Sequence, residues 1–284
     1  MKFIFVLVSA LVGVSNLFAQ EVASPLSLST SATYGDYLGS DQRAKIVSES
    51  ITLSYIPTVS SGLNLALHHS SLTRKSPLSN INGNTANLSY YEFLTTSSGN
   101  YIGGKGALHY VSSDDSNSNG TTIPHLSVSY KPASLLSAFE IGLARTPYVD
   151  TTAQQVSVMA ATALFDQWVW SQTRVYYNNL SNSIQNKDHT IAVDERLTYY
   201  VIPKKLTLSL YGLFGERIYA YDVDLGTAYN LPDIQKGSLG ISLNYNLNDN
   251  IGVFTDLTQE KYDNVTIPNQ YRVRYLTFGV SAQF

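Results

Sequence analysis

Apolar and polar residues alternate with period two along most of this chain. The cleanest stretch runs from Ser238 to Leu247, where Leu239, Ile241, Leu243, Tyr245 and Leu247 share one face. Ser238, Gly240, Ser242, Asn244 and Asn246 share the other. Side chains of a strand point alternately to its two faces, so the spacing predicts a β-strand with one apolar and one polar surface. Asn248-Asp249-Asn250 then predicts a tight turn, and Ile251, Val253 and Leu257 resume the apolar face. The unit is an antiparallel hairpin.

The same unit recurs. Ile51, Leu53 and Tyr55 lead through Pro57 and Gly62 to Leu63, Leu65 and Leu67. Leu126, Val128 and Tyr130 lead through Pro132 to Phe139, Ile141 and Leu143, and Leu197, Tyr199 and Val201 lead through Pro203 to Leu206, Leu208 and Leu210. Proline lies in these turns, where its missing N–H costs no ladder bond. The pattern predicts strands at 24–36, 44–56, 62–74, 85–95, 101–112, 122–131, 137–146, 154–164, 168–178, 189–202, 205–216, 237–247, 250–260 and 271–284. That is fourteen strands, or twelve if the irregular pair 85–95 and 101–112 belongs to a long loop. Longer polar stretches at 38–44, 114–122, 178–189, 217–236 and 260–270 read as loops at the opposite end from the short turns.

Composition narrows the setting. Only 14% of residues are charged, tyrosines number 21 and there is no cysteine. No disulfide framework or thiolate metal site is therefore possible, and a net charge of −3 offers nothing to a nucleic-acid partner. After residue 19 no helix-length apolar run remains. Lys2, the apolar stretch Phe3 to Val14 and Ala19 at a cleavage position predict a secretory signal peptide over 1–19. Residues 20–284 then form a single domain.

Apolar-out, hydroxyl- and amide-rich-in strands with short turns at one end predict an all-β, transmembrane, antiparallel up-and-down β-barrel. The expected location is the outer membrane of a Gram-negative bacterium, in contact with outer-membrane lipid and lipopolysaccharide. The last strand, with Phe278, Val280, Ala282 and Phe284 on one face, resembles the closing strand of bacterial outer-membrane barrels. That resemblance implies an assembly signal read by the barrel-assembly machinery, with periplasmic chaperones as partners during biogenesis. The final strand is expected to pair with the first, near Leu26 to Tyr34.

Parity assigns Lys105, His109, Glu140, Arg174, Asp194, Arg196, Asp256 and Glu260 to the lumen. Opposed acidic and basic walls would filter small hydrophilic solutes by charge and size; mutual pairing would instead fill the interior. Glu195 comes out facing lipid, which predicts a bulge or a shifted register there. Arg272 and Arg274 share the outward parity but sit at the outer end, within reach of the headgroup region.

Enzymatic chemistry is the minority reading. His69-Ser70-Ser71 is similar to the His-x-Ser pair of outer-membrane phospholipases and lipid A deacylases, whose resemblance implies a rim esterase using His69 and Ser71. The following residue is Leu72 rather than Asn, and the sequence places no Asn or acidic orienter beside His69. No catalytic, metal or cofactor site is expected. The overall plan resembles small monomeric porins. Looser similarity to YaiO-type outer-membrane barrels lies in Phe165-Asp166-Gln167-Trp168-Val169-Trp170, Arg174-Val175-Tyr176-Tyr177 and Tyr211-Gly212-Leu213-Phe214-Gly215-Glu216. These resemblances imply an outer-membrane barrel and carry over no functional residue. The expected function is a passive porin-like channel, with a non-conducting scaffold barrel, linked to envelope polysaccharide or secretion, as the alternative.

Overall fold

The computed structural model describes residues 24–228 and 233–284. The expected signal peptide lies outside the described residues. Eleven strands come first: β1 Leu26–Leu38, β2 Arg43–Thr58, β3 Ser61–Arg74, β4 Ile81–Thr95, β5 Tyr101–Ser113, β6 Thr122–Lys131, β7 Ser137–Pro147, β8 Thr152–Leu164, β9 Val169–Ile184, β10 Lys187–Ile202 and β11 Leu206–Arg217. Two short strands follow, β12 Tyr221–Asp222 and β13 Thr227–Ala228, then β14 Ile234–Asn246, β15 Ile251–Asp263 and β16 Gln270–Gln283. All except β12 and β13 form one closed antiparallel barrel of fourteen strands. The irregular segments at 85–95 and 101–112 are barrel strands, paired from Gly83 opposite Ser113 to Thr95 opposite Tyr101. Closure satisfies every strand edge, which an open sheet in lipid could not do.

Closure falls where the sequence places it. β16 pairs with β1, Phe278 opposite Ala32 and Val280 opposite Thr30. The Phe284 amide donates to the Leu26 carbonyl at 2.8 Å. Phe278, Val280 and Phe284 are exposed on the outer face, and Ala282 lies on the same parity.

Burial alternates as the pattern requires. Leu63, Leu65, Leu67, Leu126, Val128, Ile141, Leu143, Leu239 and Ile241 lie exposed on the outer wall, Leu126 by 69%. So broad an exposed apolar surface does not belong in water; it fits a hydrocarbon surround. Tyr34, Tyr110 and Tyr177 flank this belt toward one end, and Tyr55, Tyr130, Tyr199 and Phe284 toward the other. Inside, the wall is built of groups such as Ser50, Thr52, Asn64, Ser127, Thr198 and Ser242, all buried. Some hydroxyls pair across strands, Ser31 with Ser50 at 2.7 Å and Thr33 with Thr277 at 2.8 Å.

Connections at one end are short, two to five residues long; at the other they reach sixteen, at 218–233. Two expectations are corrected. The polar stretch 178–189 is not a long loop: β9 and β10 run on as a ribbon closed by Gln185 and Asn186. Both have positive φ, 49° and 61°, matching a twist-compatible two-residue hairpin. Polar composition there reflects a ribbon in water, not absence of pairing. Nor is there a bulge at Glu195: β10 keeps unbroken register from Ala192 to Tyr199 against β11 and from His189 to Tyr199 against β9. The carboxylate stays outward and accepts hydrogen bonds from Ser171 at 3.0 Å and from Thr173. Neighbouring hydroxyls thus supply the satisfaction that a register change was expected to provide.

Candidate functional site

The decisive element is one the sequence treats as an ordinary outer loop. Residues 218–228 turn inward and descend the lumen. Ile218, Tyr219, Ala220, Tyr221 and Val223 are each at most 1% exposed. A small hairpin, Tyr221 opposite Ala228 and Asp222 opposite Thr227, shapes the tip. Gly226 takes a positive φ of 60°, and a Cβ there would come within 2.8 Å of the Asn87 amide. Glycine is needed on both counts.

Polar contacts tie the descending chain to the wall at successive depths. At the entrance, Asn117 Nδ2 donates to Tyr219 Oη at 2.6 Å, and the Tyr148 ring packs on Tyr219 with centroids 4.5 Å apart. Arg217, 1% exposed, donates through Nε to Gln235 and through a terminal nitrogen to Asp222 at 3.3 Å. Arg43 pairs with Asp233 on the returning limb. Lower down, Gln155 grips the backbone of Tyr221 from both sides: its amide donates to the carbonyl at 2.8 Å and its oxygen accepts from the N–H at 3.0 Å. Tyr221 Oη donates to Asn87 at 3.0 Å, and its ring lies beside those of His125 and His109.

At the tip the loop meets the predicted lumen charges. Arg174, 2% exposed, places one terminal nitrogen on Glu140 and the other on Asp224, each at 2.8 Å. Its Nε adds a contact to Asp224 at 3.3 Å, and Gln172 Nε2 donates to the same carboxylate at 2.8 Å. Lys105 Nζ donates to the Val223 carbonyl at 3.0 Å. Burial alone would push the Asp224 carboxyl up. Arg174, Arg196 and Lys105 outweigh it and hold the group below the ordinary carboxylate range. A buried carboxylate is tolerable only when paired and hydrogen-bonded in this way.

All eight charged or titratable residues assigned to the lumen by parity lie on the inner face. They do not form two opposed walls. Glu140 and Arg174 meet at Asp224. Asp194 stands opposite Arg174 in the strand register, and Arg196 lies over the Tyr211 ring at 5.4 Å. His109 flanks Tyr221 instead. Asp256 and Glu260 are engaged by wall hydroxyls, those of Tyr211 and Thr258 for the first and of Tyr262 for the second. The residues missed by sequence reading are Tyr221, Val223 and Asp224. A signal for them exists: Ile218 to Tyr221 is an unbroken apolar and aromatic run, and Asp222 to Leu225 then alternates acidic and apolar residues, a density of apolar groups out of place in a loop bathed by water.

Among the described residues the lumen holds two sizeable cavities. One of about 130 Å³ lies beneath the tip, lined among others by Tyr91, Phe93, Lys105, Lys131, Trp170 and Asp224. A larger one, about 580 Å³, opens at the short-turn end between Trp168, Tyr200, Lys204, Asn244 and Gln283.

His69 and Ser71 lie on the outer face of β3, toward the long-loop end. Here the structure corrects the expectation that no orienter stands beside His69. The β3–β4 register sets Asn84 directly across, and Asn84 Oδ1 accepts from His69 Nδ1 at 2.9 Å. On the opposite side Glu49 is the register partner.

No family model matches the chain, and no curated protein matches it. Solved structures do. The CymD monoaromatic hydrocarbon channel aligns with a TM-score of 0.61 at 8% identity, covering 100% of this chain and 94% of that one. A bacterial polysaccharide outer membrane secretin aligns at 0.53 and 13% identity, over 93% and 100%. The Acinetobacter baumannii outer membrane protein Omp33 aligns at 0.50 and 10% identity, over 93% and 100%. The similarity to YaiO-type barrels is not shown by these comparisons. At such identities the likeness is one of fold, and that fold is the bacterial outer-membrane β-barrel.

Proposed function

We propose that the chain is an outer-membrane channel for small hydrophilic solutes, constricted by its own β11–β14 loop. The observation that carries this reading is the polar lumen, with a cavity under the loop tip and a wider one at the short-turn end. A barrel of this strand number has more interior than its wall side chains fill, and here a loop occupies part of the remainder. Short turns belong on the periplasmic side in barrels of this plan, so the loop enters from outside. Lys105, Arg174 and Asp224 make the lumen charged where the tip docks, and charged constrictions select solutes by sign as well as by size.

A second reading draws on the same contacts. Arg174 ties Glu140 to Asp224, and Tyr221 fills the space between two histidines, so the barrel could serve as a closed scaffold. Liposome swelling separates the two. Proteoliposomes that admit small sugars and zwitterions faster than protein-free vesicles support the channel. Native protein that admits them no faster than protein-free vesicles would support the closed scaffold.

A further inference from the structure

The outer wall of β2–β4 carries a second constellation, unconnected with the lumen. Strand register aligns Glu49, His69 and Asn84 at one level across three neighbouring strands, all on the lipid-facing parity. Ser71 lies two residues beyond His69 on that face. Below them the wall is apolar: Leu63, Leu65 and Leu67 precede His69 along β3, and Ile51 and Ala86 flank Leu67. Tyr110 stands at the same boundary on β5. The row therefore sits where hydrocarbon gives way to headgroups, the depth at which lipid ester carbonyls lie. A groove of about 770 Å³ opens there, floored by Ile51, Leu67, Ala86, Phe278 and Val280 and edged by His69.

Asn84 gives the row its chemical direction. A side-chain amide oxygen can only accept, so the bond at 2.9 Å fixes the proton of His69 on Nδ1. The lone pair is left on Nε2, the tautomer a general base requires. A polar headgroup anchor would have no need of an oriented imidazole. Side chains two apart on one strand face begin about 7 Å apart at their Cα atoms, a separation that a serine hydroxyl and an imidazole bridge when their rotamers turn toward each other. Glu49 stands directly across from His69 on the other side, in the β2–β3 register.

We propose that this row is a lipid-ester hydrolase site, with Ser71 as nucleophile, His69 as general base and Asn84 as the residue that positions it. Ser71 Oγ attacks the ester carbonyl carbon while its proton passes to His69 Nε2. The alkoxy C–O bond then breaks, and His69 returns the proton to the departing alcohol, a lysolipid. Interfacial water, deprotonated by His69, attacks the acyl-serine, releasing the fatty acid and restoring the serine. The acyl chain lies in the groove over Leu67 and Phe278.

The test uses the full-length refolded barrel in detergent–phosphatidylcholine mixed micelles, with fatty-acid release and labelling by a fluorophosphonate as separate readouts. Native protein is expected to release fatty acid and to take the label at Ser71. Ser71→Ala and His69→Ala should each lower release by at least ~10²-fold, the scale of a lost base or nucleophile. Asn84→Ala should lower release and alter its pH profile, and Asn84→Asp should restore it. Ser70→Ala, whose side chain faces the lumen, should match the native protein. Heat-modifiable migration in gels confirms that each variant is folded. No release and no label by the folded native protein would overturn the proposal, as would release that survives Ser71→Ala.

Discussion

Replacing Asp224 by Asn tests the constriction at its tip. The native carboxylate accepts two bonds from Arg174 and one from Gln172, and it is 18% exposed. Hydrogen bonds to charged groups contribute about 1.5–3 kcal/mol each, and partial exposure argues for the lower end. Asparagine keeps one acceptor and loses the charge, so two charge-assisted bonds weaken and the docked tip loses roughly 3 kcal/mol. Arg174 remains paired with Glu140 and is not stranded. A loss of that size shifts the docked-to-released ratio of the tip about 100-fold. Hydrogen exchange followed by mass spectrometry reads this directly: peptides spanning Val223 to Gly226 should lose protection by about that factor, while barrel strands keep theirs. Protection at the tip identical to that of native protein would refute the assignment of Asp224 as its latch.

Other outcomes follow from the same contacts. The Asp224 carboxyl is held low by its cationic partners, so its contribution is complete above the ordinary carboxylate pKa and is lost only as pH falls through the depressed value. Tip protection should therefore be flat between pH 5 and 8 and fall only below about pH 4, near the ordinary aspartate pKa; a midpoint near neutrality would contradict this. Glu195→Leu should leave the barrel folded or stabilise it, since the carboxylate faces lipid, and urea unfolding of the two proteins checks the sign. Gly240→Val should impair folding, because a Cβ there would lie 2.2 Å from the Tyr211 ring that covers it; overpacking of this kind costs about 1–3 kcal/mol or more. Deleting Phe284 should reduce the assembled barrel recovered from outer-membrane fractions, and normal levels would count against its role as an assembly signal.

The barrel was legible because lipid outside and water inside impose opposite demands on successive residues. Leu239 to Leu247 shows this in a single strand, and parity alone placed Arg174 and Glu140 on the inner face. Three things were not legible, for one shared reason: each depends on which residues become neighbours. Asn84 reaches His69 only through β3–β4 register. Glu195 finds Ser171 and Thr173 only across the β9–β10 pair. Asp224 meets Arg174 because a loop folds back over a distance that strand periodicity does not encode. The ribbon at 178–189 was hidden differently, since strands standing beyond the apolar belt lose the alternation that reveals them.

The central claim is that the lumen conducts and the β11–β14 loop narrows it. Single-channel recording in planar bilayers, comparing native protein with a variant in which 219–228 is replaced by a short glycine-serine link, tests both halves. The native barrel should show discrete small steps, and the variant larger ones with weaker charge selectivity. An absence of steps at any voltage in both proteins would contradict the account.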